Sequence, residues 1–97
     1  MGFKEDYELD ILENEAENLV FRELEQQLKE DWAEDICKCQ DCVLDMAALS
    51  LNAVKPFYRA SLLGKVYANN LSGSEYEEQI KKVVNDAIVK ISANPAH

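Results

Sequence analysis

Ninety-seven residues allow one domain, and a chain that is 47 per cent hydrophobic and 30 per cent charged has the make-up of a folded globular protein rather than a disordered one. A formal net charge of −9 repels a phosphate backbone and counts against duplex nucleic acid as a general partner. No stretch approaches the roughly 20 apolar residues that span a bilayer, and Met1-Gly2-Phe3-Lys4 opens no secretory signal, so no membrane association is expected.

The charge is lopsided. Residues 1 to 36 hold thirteen acids against three bases, whereas residues 37 to 97 hold six acids against seven bases. Any anionic ligand would therefore have to use the second half. A domain this small buries only about 60 to 65 per cent of the surface its unfolded chain exposes, so a metal or a second subunit would help to hold it.

In chain order, the spacing predicts one long amphipathic helix from about Tyr7 to Trp32. Leu9, Leu12, Ala16, Leu19, Val20, Leu24 and Leu28 recur at steps of three and four, leaving Glu13, Glu15, Glu17, Arg22, Glu25 and Lys29 largely for the outer face. The acidic run reads as a solvated face or, more sharply, as a docking surface for a basic partner. Asp31 to Gln40 is expected to be a connector.

All three cysteines, Cys37, Cys39 and Cys42, fall within six residues at the end of that connector. Three thiols this close could share one soft cation, because thiolate is the donor zinc prefers and three of four tetrahedral positions would be filled locally. Reduced thiols packed as small apolar groups are the alternative. Cys42 is expected in the first turn of the next helix, where free N–H groups and the helix dipole lower a thiol's pKa. An odd number of clustered cysteines also suits a reducing cytoplasm.

Gln40 or Asp41 precedes that second helix, expected over residues 42 to 52. Val43, Leu44, Met46, Ala47, Leu49 and Leu51 leave it almost no polar side, which places it at the centre of the core. Asp45 stands out there, as a carboxylate held by a nearby donor or lying behind the cysteine site. Lys55-Pro56 stops the helix, and a short extended piece is expected near residues 65 to 68. Ser72-Gly73 then turns the chain, Ser74 with Glu77 makes a capping box, and Tyr76, Ile80, Val83, Val84, Ala87, Ile88 and Ile91 form the stripe of a last helix ended by Asn94-Pro95. The expected fold is mainly α, a small single-domain helical protein over residues 1 to 97 with an ordered core of about 7 to 92.

These residues resemble the late-competence ComFB family, from roughly Asn14 to Ile91. The likeness is densest at Cys37, Cys39, Cys42, Asp45, Ala48-Leu49-Ser50-Leu51-Asn52, Pro56 and Tyr58. Asn14, Glu17 and Val20 fit the family's first helix, Gly64 and Tyr67 its middle, and Gln79 with Ala87-Ile88 its last helix. The resemblance implies a small cytoplasmic bacterial protein, mostly helical and homodimeric, with no known catalytic activity and with zinc at Cys37, Cys39 and Cys42. Relatives with this cluster can carry a further cysteine near the C-terminus, which this chain lacks. The fourth ligand stays open between His97, Asp41, a water and a residue of a second subunit.

Other relatives, without the cysteines, resemble receptors for cyclic dinucleotides such as cyclic di-GMP. This chain has a matching combination in Lys55, Arg59 and Lys65 interleaved with Phe57, Tyr58 and Tyr67: cationic groups for phosphates, flat groups for purines. The plain alternative is that the aromatics anchor the loop while Lys55 and Arg59 are solvated or paired with the acidic helix.

Three functions are thus expected, in order. The first is a non-enzymatic regulator or adaptor that binds zinc, receives cyclic di-GMP or cyclic di-AMP, and acts through a protein partner. The second is a purely structural zinc-stabilised dimeric module. The third is a thiol-redox protein. A single histidine at the last position is a poor base for acyl transfer, and a helix-turn-helix drawn from residues 42 to 70 conflicts with the net charge.

Overall fold

The computed structural model describes residues 2–60 and 75–95. The expected extended piece at 65 to 68, the Ser72-Gly73 turn, the Ser74 cap, Lys65 and His97 lie outside the described residues. Within them the elements run α1 (Phe3–Asp6), β1 (Glu13–Asn14), α2 (Glu15–Leu28), a single 3-10 turn (Asp31–Ala33), α3 (Gln40–Ala53), β2 (Tyr58–Arg59) and α4 (Glu75–Ala93). The protein is mainly α, as its periodicity predicts.

Three stripes at four-residue spacing build the core. Ala16, Val20 and Leu24 come from α2, Cys42, Met46 and Ser50 from α3, and Ile80, Val84 and Ile88 from α4, and all nine are buried. Residues four apart lie above one another on a helix, so each helix turns one narrow face inward, and each of the three packs against the other two. Ser50 is tolerated inside because its hydroxyl donates to the Met46 carbonyl at 2.8 Å. Gln27, also buried, joins α2 to α4. Its amide nitrogen donates to Glu23 at 2.8 Å and to the Lys81 carbonyl at 3.1 Å, while its oxygen accepts from Asn85 at 3.1 Å.

Two expectations about the helices are corrected. The first long helix begins at Glu15, not Tyr7. Leu9 and Leu12 share the helical period but are exposed, in an arm that precedes the helix. The reason is a contact distant in sequence. β1 pairs antiparallel with β2, Glu13 opposite Arg59 and Asn14 opposite Tyr58, and Asn14 caps the helix, its side-chain oxygen accepting from Ala16 N at 3.2 Å and Phe57 N at 2.7 Å. The Glu15 N–H, an unpaired donor of the first turn, finds the Phe57 carbonyl at 2.6 Å.

The second correction concerns α3, which is not enclosed on all sides: Leu44 is 57% exposed. Leu44 and Phe21 wall an open apolar groove of about 520 Å³ between α2 and α3.

Candidate metal centre

The three cysteines meet because two local geometries meet. Cys39 is the N-cap of α3, with extended backbone at φ −74° and ψ 167°, and Cys42 is the third residue inside the helix. An N-cap side chain folds over the N–H of that third residue. Here the Cys42 N–H donates to the Cys39 sulfur at 3.5 Å, which fixes the C-x-x-C half of the motif. Cys37 is brought in by the connector, which turns over residues 34–36 with Ile36 N donating to the Ala33 carbonyl at 3.1 Å and packs Ile36 and Cys37 against the core.

As a result the three Sγ atoms lie within 4.8 Å of one another. In a zinc tetrahedron with Zn–S bonds of about 2.3 Å, sulfurs stand about 3.8 Å apart, so a contraction of about 1 Å would seat the ion. The donor set, all sulfur, suits a soft or borderline cation. Burial grades across the site: Cys42 is buried, Cys37 half-buried and Cys39 exposed. Cys42 is part of the hydrophobic core, and Ile36 and Cys37 pack against it. A cation held here would tie the connector to the centre of the molecule.

The expected lowering of the Cys42 pKa is not found. Burial, then hydrogen bonding with Cys39 and Cys37 and the charge of those neighbours, pushes the Cys42 thiol from 9.0 up to about 12. Loss of hydration outweighs the helix dipole, because this sulfur points into the core rather than along the helix axis toward water. Burial thus disfavours the Cys42 thiolate, and a cation bound here would have to displace the thiol proton.

Asp41 is exposed in the first turn of α3, and among the described residues no other Cys, His, Asp or Glu joins the sulfur group. Asp45 is half-buried on the same helix.

The expected ligand residues follow the C-terminal end of α3, the opposite end of that helix from the cysteines. Lys55 is exposed, and its carbonyl accepts from the Tyr76 hydroxyl at 2.8 Å. Phe57 is half-buried, its ring centroid 6.3 Å from that of Tyr76, and Tyr58 is 60% exposed. Arg59 is drawn inward instead: its Nη2 meets Glu13 and its Nε meets Glu15, both at 2.7 Å, and its side chain is only 19% exposed. The Glu15 hydrogen bond is the main cause holding the guanidinium above its usual pKa. So Arg59 follows the plainer of its two readings and pairs with the acidic half.

Residues 13–95 match the profile of the late competence development protein ComFB, which is most of the chain. The chain belongs to the ComFB family. Among solved structures it is similar to the late competence protein ComFB from Bacillus subtilis, at 25% identity and a TM-score of 0.68, over 88% of this chain and 92% of that one. No curated protein sequence matches it. The ComFB match begins where β1 does, so the exposed arm of residues 2–12 precedes the shared domain. Sequence reasoning missed Gln27, since a polar residue on an apolar face carries no sign of partners 54 and 58 positions away. It also passed over Lys38, whose only signal is its place between two cysteines.

Proposed function

We propose that this ComFB-family chain is a non-enzymatic regulatory adaptor that holds one zinc ion on Cys37, Cys39 and Cys42 and works through contact with a protein partner, as a homodimer in the cytoplasm. The observation that carries the reading is the sulfur cluster with one member in the core. A thiol used for exchange chemistry is better served by exposure and a low pKa, whereas Cys42 is buried and its pKa is raised. The raised pKa opposes thiolate formation for either use, so it is the burial of Cys42 that suits a structural cation and disfavours the redox reading. Native mass spectrometry of the protein purified without chelator tests it, with one zinc per chain expected; a metal-free protein that binds no added zinc would refute it.

A cyclic dinucleotide, cyclic di-GMP or cyclic di-AMP, is the ligand class that best fits the segment after α3, with Lys55, Phe57, Tyr58, Arg59 and Lys65 as the contacting residues. Exposed Lys55 and Tyr58 support this. The engagement of Arg59 with Glu13 and Glu15 means that a phosphate would have to compete with two carboxylates for it. Calorimetry on the zinc-loaded protein decides: saturable heat with either dinucleotide supports a receptor, and no heat leaves the zinc-stabilised interaction module.

A further inference from the structure

Between Cys37 and Cys39 the chain places a lysine, and the structure gives its ammonium group a defined task. Lys38 Nζ donates to three main-chain carbonyls of the connector, Ala33 at 2.6 Å, Ile36 at 3.1 Å and Glu34 at 3.5 Å. An ammonium carries three donors and no acceptor, so the three carbonyls match its capacity. The same Ala33 carbonyl also accepts from Ile36 N at 3.1 Å. Residues 33 to 38 are thereby folded back into a closed loop whose exit is the Cys37–Cys39 segment.

We propose that Lys38 is a positioning residue for the metal centre: by gathering three carbonyls onto one cation it sets the connector in the shape that aims Cys37 and Cys39 at Cys42. The proposal rests on reading the cysteines as a zinc site. Its physical content is preorganisation. Without the clamp, ordering of residues 33 to 38 would have to be driven by the ion itself and would be subtracted from its affinity. Outer groups that orient ligands in this way typically change metal affinity by about 10- to 100-fold when removed.

The test compares the wild-type chain with Lys38→Met, which keeps an unbranched side chain but removes the ammonium, and with Lys29→Met as a charge control. Lys29 is 74% exposed and only loosely paired with Glu25 at 4.0 Å. Zinc affinity is measured by chelator competition, and thiolate ligation is read from the sulfur-to-cobalt charge-transfer bands of the cobalt(II)-loaded proteins. Lys38→Met is expected to bind zinc about 10- to 100-fold more weakly with altered bands, while Lys29→Met matches wild type. A folded Lys38→Met with wild-type affinity and bands, even if its melting temperature falls, overturns the proposal. Should that variant not fold, the wild-type ammonium protons decide: a slowly exchanging Lys38 resonance is expected, and a freely exchanging one overturns the clamp. Wild type that takes up no zinc refutes the metal reading and this proposal with it, whereas wild-type binding with an indifferent Lys38→Met refutes the clamp alone.

Discussion

Gln27 shows how much one polar side chain can hold together. All of its hydrogen-bonding capacity that reaches α4 goes to Lys81 and Asn85, so Gln27→Ala leaves the Lys81 carbonyl and the Asn85 amide without their buried partner. We expect a loss of about 1–3 kcal/mol in urea unfolding. Tyr76 works in the first turn of α4, donating to the Lys55 carbonyl. Burial raises its pKa above the ordinary 10.0. A folded state that holds the phenolic proton more tightly than the unfolded chain gives stability that is fully present below about pH 10 and is lost as pH rises through the raised value. Tyr76→Phe should therefore lose at most about 1 kcal/mol at pH 7, and its deficit relative to wild type should shrink in melts taken above pH 10. A constant deficit across that range would contradict the assignment. The sequence offers Arg59 as a cation for a ligand or for the acidic helix, and places Glu13 and Glu15 on that helix's outer face; that these two hold it depends on a strand pairing across 44 to 46 residues, which no local pattern encodes.

Among elements, α4 and the inner face of α3 were legible because their apolar stripes repeat at helical spacing and Pro56 and Pro95 mark where they stop. The start of α2 was not. Leu9 and Leu12 continue the same period as Ala16 and Val20, and only the capping of the helix by Asn14, together with its bond to Phe57, breaks it. Asn14→Ala removes an N-cap and an acceptor for a distant N–H at once. It should lower stability by about 0.5–2 kcal/mol and loosen β1 from β2, visible as faster amide exchange at Phe57 than in wild type. Met46 lies at the centre of α3, with no exposed surface. Truncation to alanine opens a cavity where three helices meet and should lose about 2–5 kcal/mol in denaturant unfolding, far more than the same change at the exposed Leu44. The cysteine motif was legible for a local reason: all three thiols fall within six residues, and its C-x-x-C half is set by an N-cap. The outcome of burial at Cys42 was not, since the sequence shows a helix N-terminus but not which way the sulfur points.

At the scale of the molecule, three helices share a core with only narrow inward stripes, while Phe3, Tyr7, Ile11, Phe21 and Leu44 remain on the outside. A domain of this size has little hydrophobic surplus, and its connector packs onto the core through Ile36 and Cys37. That is where a cation has most to contribute, because it joins residues 37 to 39 to a side chain already buried in the core that the three helices share. The most direct measurement is thermal unfolding of the zinc-loaded protein before and after stripping with a chelator, in reducing buffer. The account predicts that metal removal lowers the melting temperature by at least about 10 °C, since each kcal/mol shifts a domain of this size by about 4–8 °C and a structural zinc supplies several. Superimposable melting curves with and without zinc would contradict it.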